Sequence, residues 1–133
     1  IDGRAVLLIG KSGAGKSDLA LRLIDRGAVL IADDQVLVRV EGGVLVALPP
    51  PTIRGMMEIR GVGIIDMPTK AEARVALIVE LDGIPVRLPE AMKRVICGLE
   101  VPLIALNAFE ASTPIKVEAA LRRFGLPLEG RPR

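Results

Sequence analysis

The chain contains no histidine, tryptophan or tyrosine, and Phe109 and Phe124 are its only aromatic residues. A stacking platform for successive bases cannot be assembled from two rings, which excludes the usual grip on single-stranded nucleic acid. Without histidine, aspartate and glutamate are the bases left for proton transfer near neutral pH. Cys97 is the single cysteine, so no intramolecular disulfide can form. A solitary thiol suits a reducing compartment, and Cys97 is expected in the core. No apolar run is long enough to span a bilayer, because Glu100 interrupts the 95–106 region, and no secretory signal is visible. An excess of one charge is missing as well. The net charge is +2, and Arg122, Arg123, Arg131 and Arg133 belong to the last helix and tail, so no nucleic-acid footprint stands out. These absences point to a cytoplasmic protein that engages neither nucleic acid nor membrane.

What is present is one domain's worth of chain. Its 133 residues, half of them hydrophobic, are enough to bury roughly two thirds of the unfolded surface in one core. Residues 1–133 are therefore read as a single domain. The chain begins at Ile1 rather than methionine, so the reading expects it to be truncated at its N-terminus.

The chain is organised around Gly10, Lys11, Ser12, Gly13, Ala14, Gly15, Lys16 and Ser17, which fit G-x-x-x-x-G-K-[ST] without a mismatch. The apolar stretch 4–9 before it reads as a strand buried on both faces. After it, Leu19, Ala20, Leu23 and Ile24 define one helical face, Asp18, Arg22, Asp25 and Arg26 the other, and Gly27 the stop. Glycines at 10, 13 and 15 let the backbone curl its N–H groups toward an anion at the positive end of the helix. Lys16 would reach the β- and γ-phosphates of a nucleotide, and the Ser17 hydroxyl would sit on Mg²⁺.

Downstream, 28–32 reads as a second buried strand ending at Asp33-Asp34. A hairpin is expected through Gly42-Gly43, then a proline-ended loop, then extended structure over 56–67 with Glu58 and Arg60 on one strand face. Residues 73–81 and 101–106 read as strands, 91–96 as a short helix or turn. The last helix has Ser112 or Thr113 as N-cap, Pro114 in its first turn and Gly125 as its stop. The class is α/β with a mixed central sheet.

A strand next to the loop strand would deliver carboxylates toward metal and γ-phosphate, which is the functional reading of Asp33 and Asp34; a solvated Asx turn is the alternative. For Glu58 and Arg60 the alternative is a charged pair on a half-buried strand. Taken together and in order, Gly10 to Ser17, Ala32-Asp33-Asp34 and Glu58-Ile59-Arg60-Gly61-Val62-Gly63-Ile64-Ile65 resemble the catalytic domain of HPr kinase/phosphorylase. The resemblance implies a P-loop fold related to phosphoenolpyruvate carboxykinase and, typically, a hexamer. It also implies an ATP- and Mg²⁺-dependent kinase that phosphorylates a serine of HPr, the phosphocarrier of the bacterial phosphotransferase system.

Carried over by position, the resemblance makes Lys16 the P-loop lysine, and Ser17 and Glu58 magnesium ligands beside Asp33. Asp34 becomes the base that takes the serine proton, and Arg87 a catalytic arginine. The family's N-terminal domain is absent, as in its short single-domain branch. Its catalytic histidine, about twenty residues before the P-loop lysine, would fall ahead of Ile1. The segment 106–110 lacks the prolines and arginines that the family uses in dephosphorylation, which counts against a phosphorylase activity. Two other classes stay open: a nucleotide-sensing module without transfer activity, and a small-molecule kinase using Arg54 and Arg60 as a lid over its substrate.

Overall fold

The computed structural model describes residues 1–53 and 55–128, except the side chain of Ile53. Eight strands and two helices follow one another: β1 Ala5–Ile9, α1 Lys16–Asp25, β2 Leu37–Glu41, β3 Val44–Leu48, β4 Met56–Ile59, β5 Gly63–Asp66, β6 Ala73–Glu80, β7 Met92–Ile96, β8 Leu99–Ala105 and α2 Thr113–Phe124, with a 3₁₀ turn at Pro51–Ile53. Six strands form one mixed sheet in the order β2-β3-β6-β8-β7, with β1 also paired to β6; β4 and β5 make a separate hairpin.

Strand β6 is the centre of the molecule. Residues Val75 to Val79 have no accessible surface, as expected of a strand paired on both edges and covered on both faces. It runs parallel to β1 and to β8. The three strands therefore deliver the loops that follow them to the same end of the sheet. The register against β1 shifts so that Ala5 faces Val75 while Val6 faces Leu77. Ala76 is thus an extra residue in β6, a bulge that rotates the strand. Its consequence is visible in the core: Leu77 and Val79 pack with Leu19, Leu23, Val117 and Leu121 of the two helices, whereas Val75 and Ile78 pack against Leu45, Val101 and Leu103.

Three tight turns bring non-adjacent donors and acceptors together. Gly42-Gly43 joins β2 to β3 as the sequence indicates, and Cys97-Gly98 joins β7 to β8, with positive φ at both central residues. Cys97 is therefore an exposed turn residue, not a core thiol. Ile1 and Arg4 exchange two backbone bonds, 2.8 and 3.0 Å, around Asp2-Gly3, which turns the backbone at Ile1 back alongside the edge of β1 that faces away from β6.

Three further expectations fail for physical reasons. Residues 28–32 form no strand: Leu30 makes one isolated bridge to Thr69, and the neighbouring Pro68 has no N–H with which to extend it. Residues Met92–Ile96 form β7, not a helix, because pairing along β8 overrides the helical preference of Ala, Met, Lys and Arg. Its exposed Lys93 and Arg94 blunt the sheet edge. Arg60 lies in the turn between β4 and β5, so it does not share a strand face with Glu58.

Helix α2 begins after Ser112, whose side chain makes no cap bond. Buried Thr113 instead donates its hydroxyl to the carbonyl of Asn107. Gly125 is the C-cap in an extended conformation, and the position requires glycine because a Cβ there would meet the carbonyl and side chain of Leu121. The helices are also tied by charge. Arg26 Nε donates to both Glu118 oxygens at 3.1 Å and Nη2 donates to Oε1 at 2.7 Å.

Two outcomes follow from this packing. Leu121→Ala removes a fully buried side chain and is expected to cost about 3 kcal/mol in denaturant unfolding. The hydrogen bonds from Arg26 hold the Glu118 carboxyl below its ordinary value of 4.5. A depressed carboxylate contributes stability that is present above the unfolded value and lost as pH falls through the folded one. Glu118→Gln should therefore melt lower than the parent at neutral pH, and the gap should close as pH drops below 4.5.

Candidate active site

The phosphate-binding loop occupies residues 10–15, between the end of β1 and the first residue of α1. Its backbone is fixed from two sides. Lys11 N–H donates to Asp82 Oδ2 at 2.8 Å, and Leu81 N–H donates to Ile9 O at 2.9 Å, so the end of β6 holds the loop's first limb. Inside the loop, Ala14 N–H donates to Lys11 O at 3.0 Å. Gly15 is the N-cap of α1 with φ 92°, and no side chain caps the helix. The amide groups of the first turn are thus left to an external acceptor. Gly15 is required on two counts: the positive φ, and the absence of room, since a Cβ would lie 2.9 Å from that of Ala108.

Lys16 Nζ folds over the loop and donates to the carbonyls of Gly10 and Lys11. At the next residue of the helix, Ser17 Oγ donates to Asp33 Oδ1 at 2.9 Å, and the other oxygen of Asp33 accepts the backbone N–H of Glu58 at 3.2 Å. Asp33 therefore links α1 to β4: of the three residues named as a metal set, it touches the Ser17 side chain and the Glu58 backbone. All three side chains carry hard donors of the kind magnesium takes, although the described residues include no cluster of three acidic or histidine side chains with metal-binding geometry. Asp34 follows in an exposed position with φ 67°. Gln35 N–H closes a three-residue turn around it onto Asp33 O at 2.7 Å. The pair sits in a loop, not at a strand terminus. Lys16, Ser17, Asp33 and Asp34 line one end of a groove of about 220 Å³. The groove continues between β1 and the 28–36 segment as far as Arg4.

Arg87 is placed elsewhere. It is exposed in the 81–91 segment after β6, on the same end of the sheet but not among the residues that line the groove. Ile84, Val86 and Leu88 around it are 88%, 61% and 81% exposed. Arg54 lies outside the described residues. Sequence reading missed two contributors. Asp82 belongs to no motif, although it closes the strand beside the loop strand. Arg22, read as a solvated helix position, bonds Asp18 at 3.0 Å and the carbonyls of Ala108 and Glu110, thereby fastening the loop after β8 to α1.

Strand, G-x-x-x-x-G-K-S loop and helix on a mixed sheet define a P-loop protein with a kinase-like α/β fold. Residues 1–127 match the family described as HPr Serine kinase C-terminal domain. The HPr kinase/phosphorylase of Burkholderia cenocepacia is 37% identical over 142 residues, and that of Cupriavidus necator 34%; each alignment covers 96% of this chain and 44% of the relative. The solved structure of the Hpr(Ser) kinase/phosphatase from Coxiella burnetii superposes with a TM-score of 0.81 at 29% identity, covering 92% of this chain and 84% of that one. The chain belongs to the HPr serine kinase C-terminal domain family, and it spans less than half the length of these two relatives.

Gly15→Ala tests the loop geometry. It forces a Cβ into a positive-φ position against Ala108, and a loss of about 1–3 kcal/mol in unfolding free energy is expected.

Proposed function

We propose that residues 1–133 form the catalytic domain of a cytoplasmic, ATP- and Mg²⁺-dependent kinase that phosphorylates a serine of HPr or an HPr-like phosphocarrier. The observation that carries the reading is the Ser17–Asp33 contact of 2.9 Å. It sets a hard-oxygen pair at the mouth of a phosphate loop, with the exposed carboxylate of Asp34 next in sequence. Family membership supports the acceptor class, since the relatives are named as HPr kinases. Among the described residues, no helix is long and apolar enough to cross a membrane.

In this reading the loop amides and the first turn of α1 hold the β- and γ-phosphates, and Lys16 turns from the loop carbonyls to the phosphate oxygens. Ser17, Asp33 and Glu58 would hold Mg²⁺, which when bound neutralises charge on the phosphates. Asp34 accepts the proton of the attacking serine hydroxyl. As the new O–P bond forms, the bond from the γ-phosphorus to its bridging oxygen breaks, and ADP leaves. Arg87 stands among exposed apolar side chains, which favours a protein surface over a metabolite as the acceptor. Self-association into a homo-oligomer belongs to the same proposal. The 106–110 segment gives the reverse, phosphorylase direction no support.

The intact mass of HPr after incubation with Mg-ATP tests the reading: one added phosphate with the parent, and none with Lys16→Ala. Asp34→Asn tolerates the same positive φ, so it should keep nucleotide affinity while lowering the transfer rate roughly 10²- to 10⁴-fold. A parental transfer rate in Asp34→Asn would remove Asp34 from the role of base.

A further inference from the structure

Phe109 stands against the usual behaviour of its residue type. It is 70% exposed, yet the segment that carries it is fastened at every residue around it. Asn107 Oδ1 accepts the N–H of Phe109 at 2.9 Å, the Asn107 carbonyl takes the Thr113 hydroxyl, and Arg22 binds the carbonyls of Ala108 and Glu110. The backbone that carries the ring is therefore held by α1 and α2, while the ring itself stays largely exposed. Its edge rests on the last glycine of the phosphate loop: a Cβ on Gly15 would lie 3.1 Å from Cε1 and 3.3 Å from Cζ. The position is outside the C-terminal ends of the parallel strands β1, β6 and β8, where α/β sheets receive their ligands.

We propose that Phe109 is the nucleobase platform of the nucleotide site, its exposed ring stacking on the base while the loop holds the phosphates. The inference rests on the reading of residues 10–17 as a nucleotide site and adds the part of the ligand that the loop itself does not contact. A phosphate loop binds phosphate through backbone groups and is indifferent to what the phosphates carry. Recognition of the base needs a separate π-face or polar edge. Phe109 is the one exposed aromatic ring among the described residues, and it touches the residue from which the phosphate-binding helix starts. The second phenylalanine, Phe124, belongs to the helical core.

The test is calorimetric titration of the parent, Phe109→Ala and Phe109→Tyr with Mg-ATP and, separately, with inorganic triphosphate. The expected result is a roughly tenfold weaker affinity of Phe109→Ala for ATP, unchanged affinity for triphosphate, and recovery of ATP affinity in Phe109→Tyr. Equal weakening toward both ligands would mean a disturbed loop and overturn the proposal. Unchanged ATP affinity with a raised KM for the protein acceptor would also overturn it, by assigning the ring to acceptor docking. If the parent binds neither ligand, the nucleotide reading fails together with the inference; if the parent binds ATP and Phe109→Ala binds it equally well, only the inference fails.

Discussion

The parallel pairing of β1 with β6 is the constraint from which the site is built. Five partnered residues run from Ala5–Val75 to Ile9–Glu80, and the strands end level. The loop after β1 and the carboxylate of Asp82 after β6 are thereby brought to one point, where Asp82 accepts the Lys11 amide. A phosphate loop is a length of glycine-rich backbone with high conformational entropy. Fixing its first limb from a strand that has no accessible surface removes much of that freedom before any ligand arrives. The bulge at Ala76 serves the same end. It lets one strand give Leu77 and Val79 to the helices and Val75 and Ile78 to the other face, so α1 is seated firmly enough to aim its amide groups.

A second contact joins this framework to the chemistry. Asp33 accepts from Ser17 on one oxygen and from the Glu58 backbone on the other. It holds the separate β4–β5 hairpin against α1 without a shared sheet. The backbone of Glu58 is thereby tied to the residue that also bonds Ser17. This arrangement places the two acidic residues at different levels of constraint. Asp33 is half-buried and doubly bonded, whereas Asp34 is exposed and bonded by its neighbours' backbone alone. A carboxylate engaged on both oxygens is suited to hold geometry, and one with free lone pairs is suited to take a proton.

The sequence made the loop, α1, the hairpin through Gly42-Gly43, β6, β8 and α2 legible, because each rests on local signals: glycine spacing, a helical apolar stripe or a continuous β-type run. It also named Ser17 and Glu58 by resemblance and Asp33 from the acid pair, and in the structure Asp33 contacts the Ser17 side chain and the Glu58 backbone. What it did not disclose depends on distant partners. Residues 28–32 carry a strand's composition but meet Pro68-Thr69 in place of a ladder, and 92–96 carry a helix's composition but meet β8. Arg22 and Asp82 have no local signal at all, since their partners lie 86 and 71 residues away. Arg87 was positioned by family resemblance, and the fold leaves it on an exposed loop, not among the residues that line the groove.

The departures from local rules indicate where the fold yields to function. Three non-glycine residues among those described have positive φ: Asp2, Asp34 and Cys97. Asp2 and Cys97 each precede a glycine of positive φ in a two-residue turn, which explains them. Asp34 precedes Gln35 and turns no hairpin; its positive φ belongs to the three-residue turn that Gln35 N–H closes on Asp33 O, a conformation that costs about 1–3 kcal/mol. Phe109 forgoes about 2 kcal/mol of burial by standing open, in a chain that has only one other aromatic residue. Helix α1 starts without a side-chain cap, although a cap is worth about 1 kcal/mol. All three departures border the same phosphate loop. Stability is thus relinquished at one place, in a fold whose core is otherwise closed around β6, and this supports the proposal of a nucleotide site there: groups left unsatisfied in the protein are the groups able to bind.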